Sequence, residues 1–105
     1  MIRAQLFRRG DAWCGFLLEG HSEDRPAGES VVCAAVSSAA YLAANTVLDV
    51  CGCQAEAEVR EGYLFLRVTQ QDLTPCQIIL EGFYRHLQAL QEQYSKMIQL
   101  ICTEV

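Results

Sequence analysis

Alternating apolar and polar residues predict two β-hairpins in this sequence. The alternation runs over residues 2–8 and again over 13–19, which is the period of a half-buried strand. Turn residues at positions 9–11 separate these two predicted strands. The same pattern recurs over residues 55–68, where the dipeptide Glu61-Gly62 provides a tight turn in the middle. The sequence therefore predicts four strands, paired two by two.

Two other segments follow a helical pattern. Residues 30–50 are almost all apolar or small, which is typical of a central buried helix, and Gly52 provides a stop signal. Thr74-Pro75-Cys76-Gln77 resembles a capping box that would start a second helix, whose apolar seam continues as far as Ile101. We expect this helix to lie across the sheet rather than to form an isolated coiled coil, and its broad apolar face also suits a dimer contact. The seam consists of Leu73, Cys76, Leu80, Phe83, Leu87, Leu90, Tyr94, Met97 and Ile101.

The order of the predicted elements defines the fold class. A β-β-α-β-β-α order indicates an α+β domain with a mostly antiparallel four-stranded sheet. The Ala-rich helix and the long C-terminal helix would pack on this sheet. With 105 residues, of which 51% are hydrophobic, the chain can build one core, so we expect a single domain over residues 1–105.

Charge and hydropathy argue against several classes of partner. Eight Lys and Arg residues against 13 Asp and Glu residues give a net charge of -5, which disfavours binding to a phosphate backbone. No apolar run reaches the ~20 residues of a membrane-spanning helix without polar interruption. The first residues also lack the apolar block of a signal peptide. We therefore expect a cytoplasmic protein that binds neither nucleic acid nor a membrane.

The six cysteines allow two interpretations. They are Cys14, Cys33, Cys51, Cys53, Cys76 and Cys102. An even number could form a disulfide framework, but without an export signal we expect reduced thiols, most of them in the core. The motif Cys51-Gly52-Cys53 is only a weak metal signal because no second motif or nearby histidine accompanies it. No glycine-rich phosphate loop is present, and we expect neither a metal nor a cofactor.

A narrow polar stripe interrupts the Ala-rich helix. Ser37, Tyr41, Asn45 and Asp49 follow one another at a spacing of four, so they share one helix face. Cys33 precedes Ser37 by one turn and lies on the same line. A cysteine that served only as core would belong on the apolar flanks. The stripe therefore marks Cys33 as a candidate for chemistry.

The position of Cys33 in the predicted helix suits a nucleophile. If Ser30 is the N-cap, Cys33 is the third residue of the first turn, where amide groups and the helix dipole favour a thiolate and could hold an oxyanion. His21 directly follows the second strand and is the nearest imidazole in sequence, whereas His86 lies within the last helix. The residues alone leave two readings open, a Cys–His nucleophilic site and one more small residue in an Ala-rich helix.

Residues 20–37, GHSEDRPAGESVVCAAVS, resemble the signature of the ribosomal-processing cysteine protease family called Prp. The matching positions are Gly20, His21, Gly28, Val32, Cys33, Ala34 and Ser37. The chain length, the order of elements and the long final helix are also similar to this family over essentially all 105 residues. One departure is that Ser30 stands where the family usually has Asp.

The resemblance implies an activity and a set of site residues. It implies a homodimeric cytoplasmic protease that removes an N-terminal extension from the precursor of large-subunit ribosomal protein twenty-seven. Cys33 would be the nucleophile and His21 the general base. Supporting or substrate-binding positions would be Gly20, Gly28, Ser30 and Ser37. The alternative is a non-catalytic dimeric module that binds a peptide in the same cleft.

Overall fold

Five strands form one mixed sheet in the computed structural model, which describes residues 1–20 and 31–105. The strands are β1 (Ile2–Arg9), β2 (Ala12–Glu19), β3 (Ala55–Arg60), β4 (Tyr63–Val68) and β5 (Ile98–Glu104). The helices are α1 (Val31–Asn45), which continues as a π-helical turn (Thr46–Val50), and α2 (Gln77–Gln93). Two short 3₁₀ turns, Gln70–Asp72 and Thr74–Cys76, lead into α2. The predicted α+β class is confirmed, whereas the prediction of four strands is wrong.

Both predicted hairpins are present and form the antiparallel part of the sheet. The strand order is β3-β4-β2-β1-β5, with β4 pairing antiparallel to β2 and so joining the two hairpins. Gly10 and Gly62 occupy the two hairpin turns at φ values of +61° and +69°. Those values favour glycine because a Cβ atom is disfavoured in the left-handed region.

The fifth strand overturns the prediction of a helix that extends to Ile101. α2 ends at Gln93, a turn covers residues 94–97, and β5 then pairs in parallel with β1. Ile98 is 2% exposed and lies opposite Ile2, so its burial comes from the sheet and not from a helical seam. The helical spacing of Tyr94, Met97 and Ile101 is therefore coincidental.

α1 is buried on one face and not all around. Its buried residues are Val32, Val36, Ala40, Ala43 and Ala44, and Val47 continues this face into the π-helical turn. Val31, Leu42 and Val50 are 70%, 64% and 80% exposed, which contradicts the prediction of a fully buried central helix. The residues of the polar stripe are exposed, as predicted. They are Ser37, Tyr41, Asn45 and Asp49.

The helical run Val31–Val50 is long and apolar enough to cross a membrane by length and composition alone. The run is interrupted by polar residues, among them Ser37, Asn45 and Asp49, so it agrees with the statement that no such run is free of polar interruption. In this fold the run packs its valine and alanine face into the core, which is an alternative reason for its apolar character.

Gln77 connects α2 to the sheet instead of closing a capping box. Its side-chain amide donates to the carbonyl oxygens of Trp13 and Leu73, both at 2.7 Å, and its Oε1 accepts from the Trp13 N–H at 2.8 Å. Farther along α2, Phe83 packs on Phe16 of β2 with ring centroids 4.7 Å apart. These contacts hold α2 against the sheet beside α1.

Candidate active site

Cys33 lies in the first turn of α1, as predicted. The helix begins at Val31 in the described part of the chain, so Cys33 is its third residue. The backbone N–H groups of a first helical turn lack partners within the helix and face any group bound there. Residues 31–34 carry no acidic side chain that would compete with an anion at this end. Ser30, the predicted N-cap, lies outside the described residues.

Cys33 opens onto a cavity of about 110 Å³. α1 provides one wall with Cys33, Ser37 and Tyr41, which succeed one another by single turns along the polar stripe. The end of β2 and the β3–β4 turn provide the rest. Their lining residues are Leu18, Glu19, Gly20, Arg60, Gly62, Tyr63 and Leu64. The Cys33 side chain is half-buried and packs at the edge of the apolar core, so the sulfur is neither fully exposed nor sealed in.

Gly20 is fixed where β2 reaches the cavity. Its φ value is +96°, and its N–H donates to the carbonyl oxygen of Gly62 at 3.0 Å. A Cβ atom at this position would lie 2.4 Å from the carbonyl oxygen of Met1, so only glycine fits. Since His21 follows directly in the chain, these contacts fix the position of the residue that precedes it.

The wall opposite α1 carries charge and an aromatic ring. The guanidinium of Arg60 stacks on Tyr63 at 3.9 Å from the ring centroid and pairs with Glu58 at 3.4 Å. Glu19, on the same side of the cavity, pairs with Arg3 at 3.6 Å. This surface can make stacking, apolar and ionic contacts with an extended ligand, and the sequence analysis did not identify it.

The structure brings together only some of the predicted site residues. Gly20, Cys33 and Ser37 line the same cavity. His21, Gly28 and Ser30 lie outside the described residues, so their predicted roles stay predictions. His86 is exposed on α2 and lines a different groove, between α1 and α2.

The remaining cysteines have different environments. Cys14 is buried in β2, where desolvation raises its pKa. Cys102 is exposed on β5 and is therefore not one of the core thiols. No disulfide joins the six cysteines, all of which lie in the described ranges. Across residues 1–20 and 31–105, no cluster of three or more His, Cys, Asp and Glu side chains could hold a metal ion.

A thiol in the first turn of a helix, beside an open cavity, can in principle attack a bound carbonyl group. The cavity places this thiol near the wall that carries Arg60 and Tyr63, which can bind an extended peptide. A model of the family described as cysteine protease Prp matches residues 1–99 of the sequence. The chain belongs to the Prp family of cysteine proteases. As a member of this family it is a cysteine protease, a hydrolase that acts on peptide bonds.

Solved structures agree with this assignment at the level of the fold. An essential ribosomal processing protease Prp from S. aureus, in complex with a covalently linked product peptide, superimposes with a TM-score of 0.88 at 20% identity. The match covers 98% of this chain and 100% of that one. The same protease in complex with a substrate peptide gives a TM-score of 0.84 at 19% identity, with the same coverage.

A third structure, SMU.848 from Streptococcus mutans, gives a TM-score of 0.83 at 22% identity. This match covers 100% of the present chain and 96% of the other. No curated protein matches the sequence. The three structures share the fold, and the family model carries the assignment to the proteases.

Proposed function

We propose that the protein removes the N-terminal extension from the precursor of large-subunit ribosomal protein twenty-seven, with Cys33 as nucleophile and His21 as general base. The observation that carries this proposal is the place of Cys33, in the first turn of α1 on the wall of a cavity that Gly20 also lines. Gly20 brings the chain to this cavity one residue before His21. Of the two histidines in the sequence, His86 lines another groove, which leaves His21 for this role.

The proposed reaction passes through a covalent thioester. His21 takes the thiol proton of Cys33, and the sulfur attacks the carbonyl carbon of the scissile peptide bond. Backbone amides of the first turn of α1 stabilise the oxyanion, and the protonated imidazole donates its proton to the leaving amine. Water then hydrolyses the thioester and restores the thiol. Ser37 lies one turn after Cys33 and contacts the substrate or the sulfur. Gly28 and Ser30 belong to the segment of the chain that precedes the helix.

We place this activity in the cytoplasm, where ribosomes assemble and thiols stay reduced. The extension would lie between Tyr41 on α1 and the opposite wall with Arg60 and Tyr63. The net charge of -5 favours the encounter with a basic ribosomal protein.

The experiment that tests the assignment is cleavage of a peptide that spans the extension and the start of the mature ribosomal protein. Cys33→Ala should abolish cleavage, and His21→Ala should lower kcat/KM by about 10²–10⁴-fold. Cys102→Ala is the matched control, because Cys102 is an exposed thiol outside the cavity; it should keep full activity.

Two results would overturn the proposal. One is undiminished cleavage by Cys33→Ala or His21→Ala. The other is a wild-type protein that binds the peptide as tightly as the Cys33→Ser variant does and never releases fragments. This second result would instead indicate the non-catalytic peptide-binding module.

The protein also acts as a homodimer in this proposal, with the groove between α1 and α2 as the contact. The groove has a volume of about 480 Å³ and is lined by Ala39, Leu42, Ile79, Gly82 and mostly apolar neighbours. Leu42 is 64% exposed at its edge, and the open space beside Gly82 can accept a side chain. Because a protruding leucine stands next to a groove with a floor of small residues, two copies related by a two-fold axis can fill each other's groove.

A further inference from the structure

Three thiols from the two ends of the β3–β4 hairpin lie together, away from the residues that line the Cys33 cavity. Cys51 and Cys53 precede β3, and Cys76 ends the 3₁₀ turn before α2. The Cys53 thiol donates to the carbonyl oxygen of Asp72 at 3.3 Å. The Cys76 sulfur lies 3.8 Å from the same oxygen, and its thiol donates to the carbonyl oxygen of Leu73 at 3.3 Å. The two sulfur atoms thus lie around one carbonyl oxygen, and side-chain rotation can bring them together.

Cys51 gives this pair a route to solvent. Cys53 and Cys76 are 6% and 0% exposed, whereas Cys51 is half-buried. The Cys51 thiol donates to the carbonyl oxygen of Pro75 at 3.3 Å, which places it next to Cys76 in space. An oxidant too large to reach the buried pair can therefore react first with Cys51.

The cluster is not suited to a metal ion. Within residues 1–20 and 31–105 no group of three or more ligand side chains has a geometry that could hold one. Burial also raises the pKa of Cys76 to about 12 and raises that of Cys53 above its usual value. Both buried thiols therefore ionise rarely near neutral pH, which makes them poor metal ligands and slow nucleophiles, so exchange with an external disulfide begins at Cys51.

We propose that Cys51, Cys53 and Cys76 form a thiol–disulfide exchange site whose end product is a Cys53–Cys76 disulfide. The oxidant is a small disulfide of two monothiol molecules, such as oxidised glutathione. The Cys51 sulfur attacks it, forms a mixed disulfide and releases one glutathione thiol. Cys76 then attacks the Cys51 sulfur and releases the second glutathione thiol. Finally, the Cys53 sulfur attacks the Cys76 sulfur and releases the Cys51 thiol. In total, two protein thiols have been oxidised and one small disulfide has been reduced to two thiols.

This crosslink would tie the base of the hairpin that forms one wall of the Cys33 cavity. β3 is an edge strand with exposed side chains at residues 56–60, and edge elements of this kind open most easily. The base of the hairpin is held by two hydrogen bonds of Gln54, which accepts from the Thr69 N–H at 3.0 Å and donates to Asp72 Oδ2 at 2.7 Å. A covalent bond beside them would restrain the segment that carries Arg60 and Tyr63. This inference does not depend on the identity of the substrate.

The test is to treat the full-length Cys33→Ser variant, in which the candidate nucleophile cannot react, with oxidised glutathione. Remaining thiols are then alkylated, and the disulfides are mapped by mass spectrometry. The expected product is a peptide pair joined through Cys53 and Cys76, which disappears after reduction. Cys51→Ser should slow its formation by about 10-fold or more because the accessible thiol is missing. Cys102→Ser, which removes another exposed thiol, should leave the rate unchanged.

Hydrogen exchange provides a second readout that needs no substitution in the cluster. The oxidised protein should exchange the amides of β3 and β4 more slowly than the reduced protein, with no change in β5. The proposal is overturned if Cys53 and Cys76 remain open to alkylation after unfolding. It is equally overturned if the mapped disulfide joins Cys51 to Cys53 or joins two molecules, or if exchange of β3 is the same in both forms.

Discussion

The backbone N–H of Gly20 donates to the carbonyl oxygen of Gly62 at 3.0 Å and thereby joins the end of β2 to the β3–β4 turn. Both residues have positive φ values, +96° and +69°. This bond lies on the cavity that Cys33 lines, one residue before His21. A change at Gly20 should therefore act on the reaction through the position of His21 and not through contact with the substrate alone.

Gly20→Ala should lower both stability and activity. The added Cβ atom would lie 2.4 Å from the carbonyl oxygen of Met1 at a φ value that L side chains rarely adopt. We expect a loss of stability of about 1 kcal/mol or more. We also expect kcat/KM to fall by about 10-fold or more, with a shifted pH profile, because the change displaces His21, the proposed general base. Peptide cleavage is measured at a temperature at which circular dichroism shows the variant to be folded.

Gly10→Ala is the matched control for backbone strain. Gly10 also has a positive φ value, +61°, but a Cβ atom there meets no atom of the described residues within 4 Å. Gly10 does not line the cavity. This variant should lose some stability and keep its kcat/KM. Equal losses of activity in both variants would show that strain alone explains the effect of Gly20→Ala.

Gln77→Ala should destabilise the fold by about 2 kcal/mol, because it leaves polar groups of Trp13 without partners. The β1–β2 ladder shifts register between Phe7 and Arg8, close to Trp13, and the Gln77 amide bonds both the N–H and the carbonyl oxygen of Trp13. The measurement is the midpoint of denaturant unfolding at constant m-value. Gln88→Ala is the control, since the side-chain amide of Gln88 donates to the hydroxyl of Tyr84 at 3.0 Å in an exposed hydrogen bond. A midpoint shift no larger than that of Gln88→Ala would contradict the prediction.

The sequence predicted the two hairpins because each has a polar and an apolar face and a turn that requires glycine. It failed at β5, where Ile98, Leu100 and Cys102 could continue either a helical seam or a strand. Pairing with β1 decides between these, and that pairing joins residues far apart in the chain. Short apolar runs of this kind are ambiguous by periodicity alone.

The candidate site was predictable on its helical side and at Gly20. The spacing from Cys33 through Ser37 to Tyr41 is visible in the sequence, and these residues line the cavity. Arg60 and Tyr63 carry no such signal, because they flank a turn whose position next to α1 follows from the order of the strands. The exposure of Leu42 was missed for a related reason, since an all-apolar helix does not reveal which of its faces meets the core.

Stability should depend on pH through Glu81. Its pKa lies below the usual value of 4.5 because the Trp13 indole N–H donates to it at 2.7 Å and Arg85 bonds it at 2.8 Å. A carboxyl group whose pKa is lower in the folded than in the unfolded state stabilises the fold at pH values above the unfolded-state pKa. This contribution is lost as the pH falls through the folded-state pKa. The difference in unfolding free energy between wild type and Glu81→Gln should therefore be constant near neutral pH and shrink below pH 4.5. An identical difference in unfolding free energy at all pH values would contradict this prediction. The control is Glu92→Gln, because Glu92 lies on the exposed face of α2.

Leu42→Asp should convert the proposed dimer into a monomer without unfolding it. Leu42 is 64% exposed in the single chain, so the carboxylate costs little there, but between two copies it would be buried in an apolar groove. Light scattering coupled to size-exclusion chromatography measures the mass, and circular dichroism verifies the fold. Val50→Asp is the matched control, because Val50 is 80% exposed near the same helix and does not line the groove. A dimer that persists in Leu42→Asp would place the contact elsewhere, and a monomeric wild-type protein would remove the homodimer from the proposal.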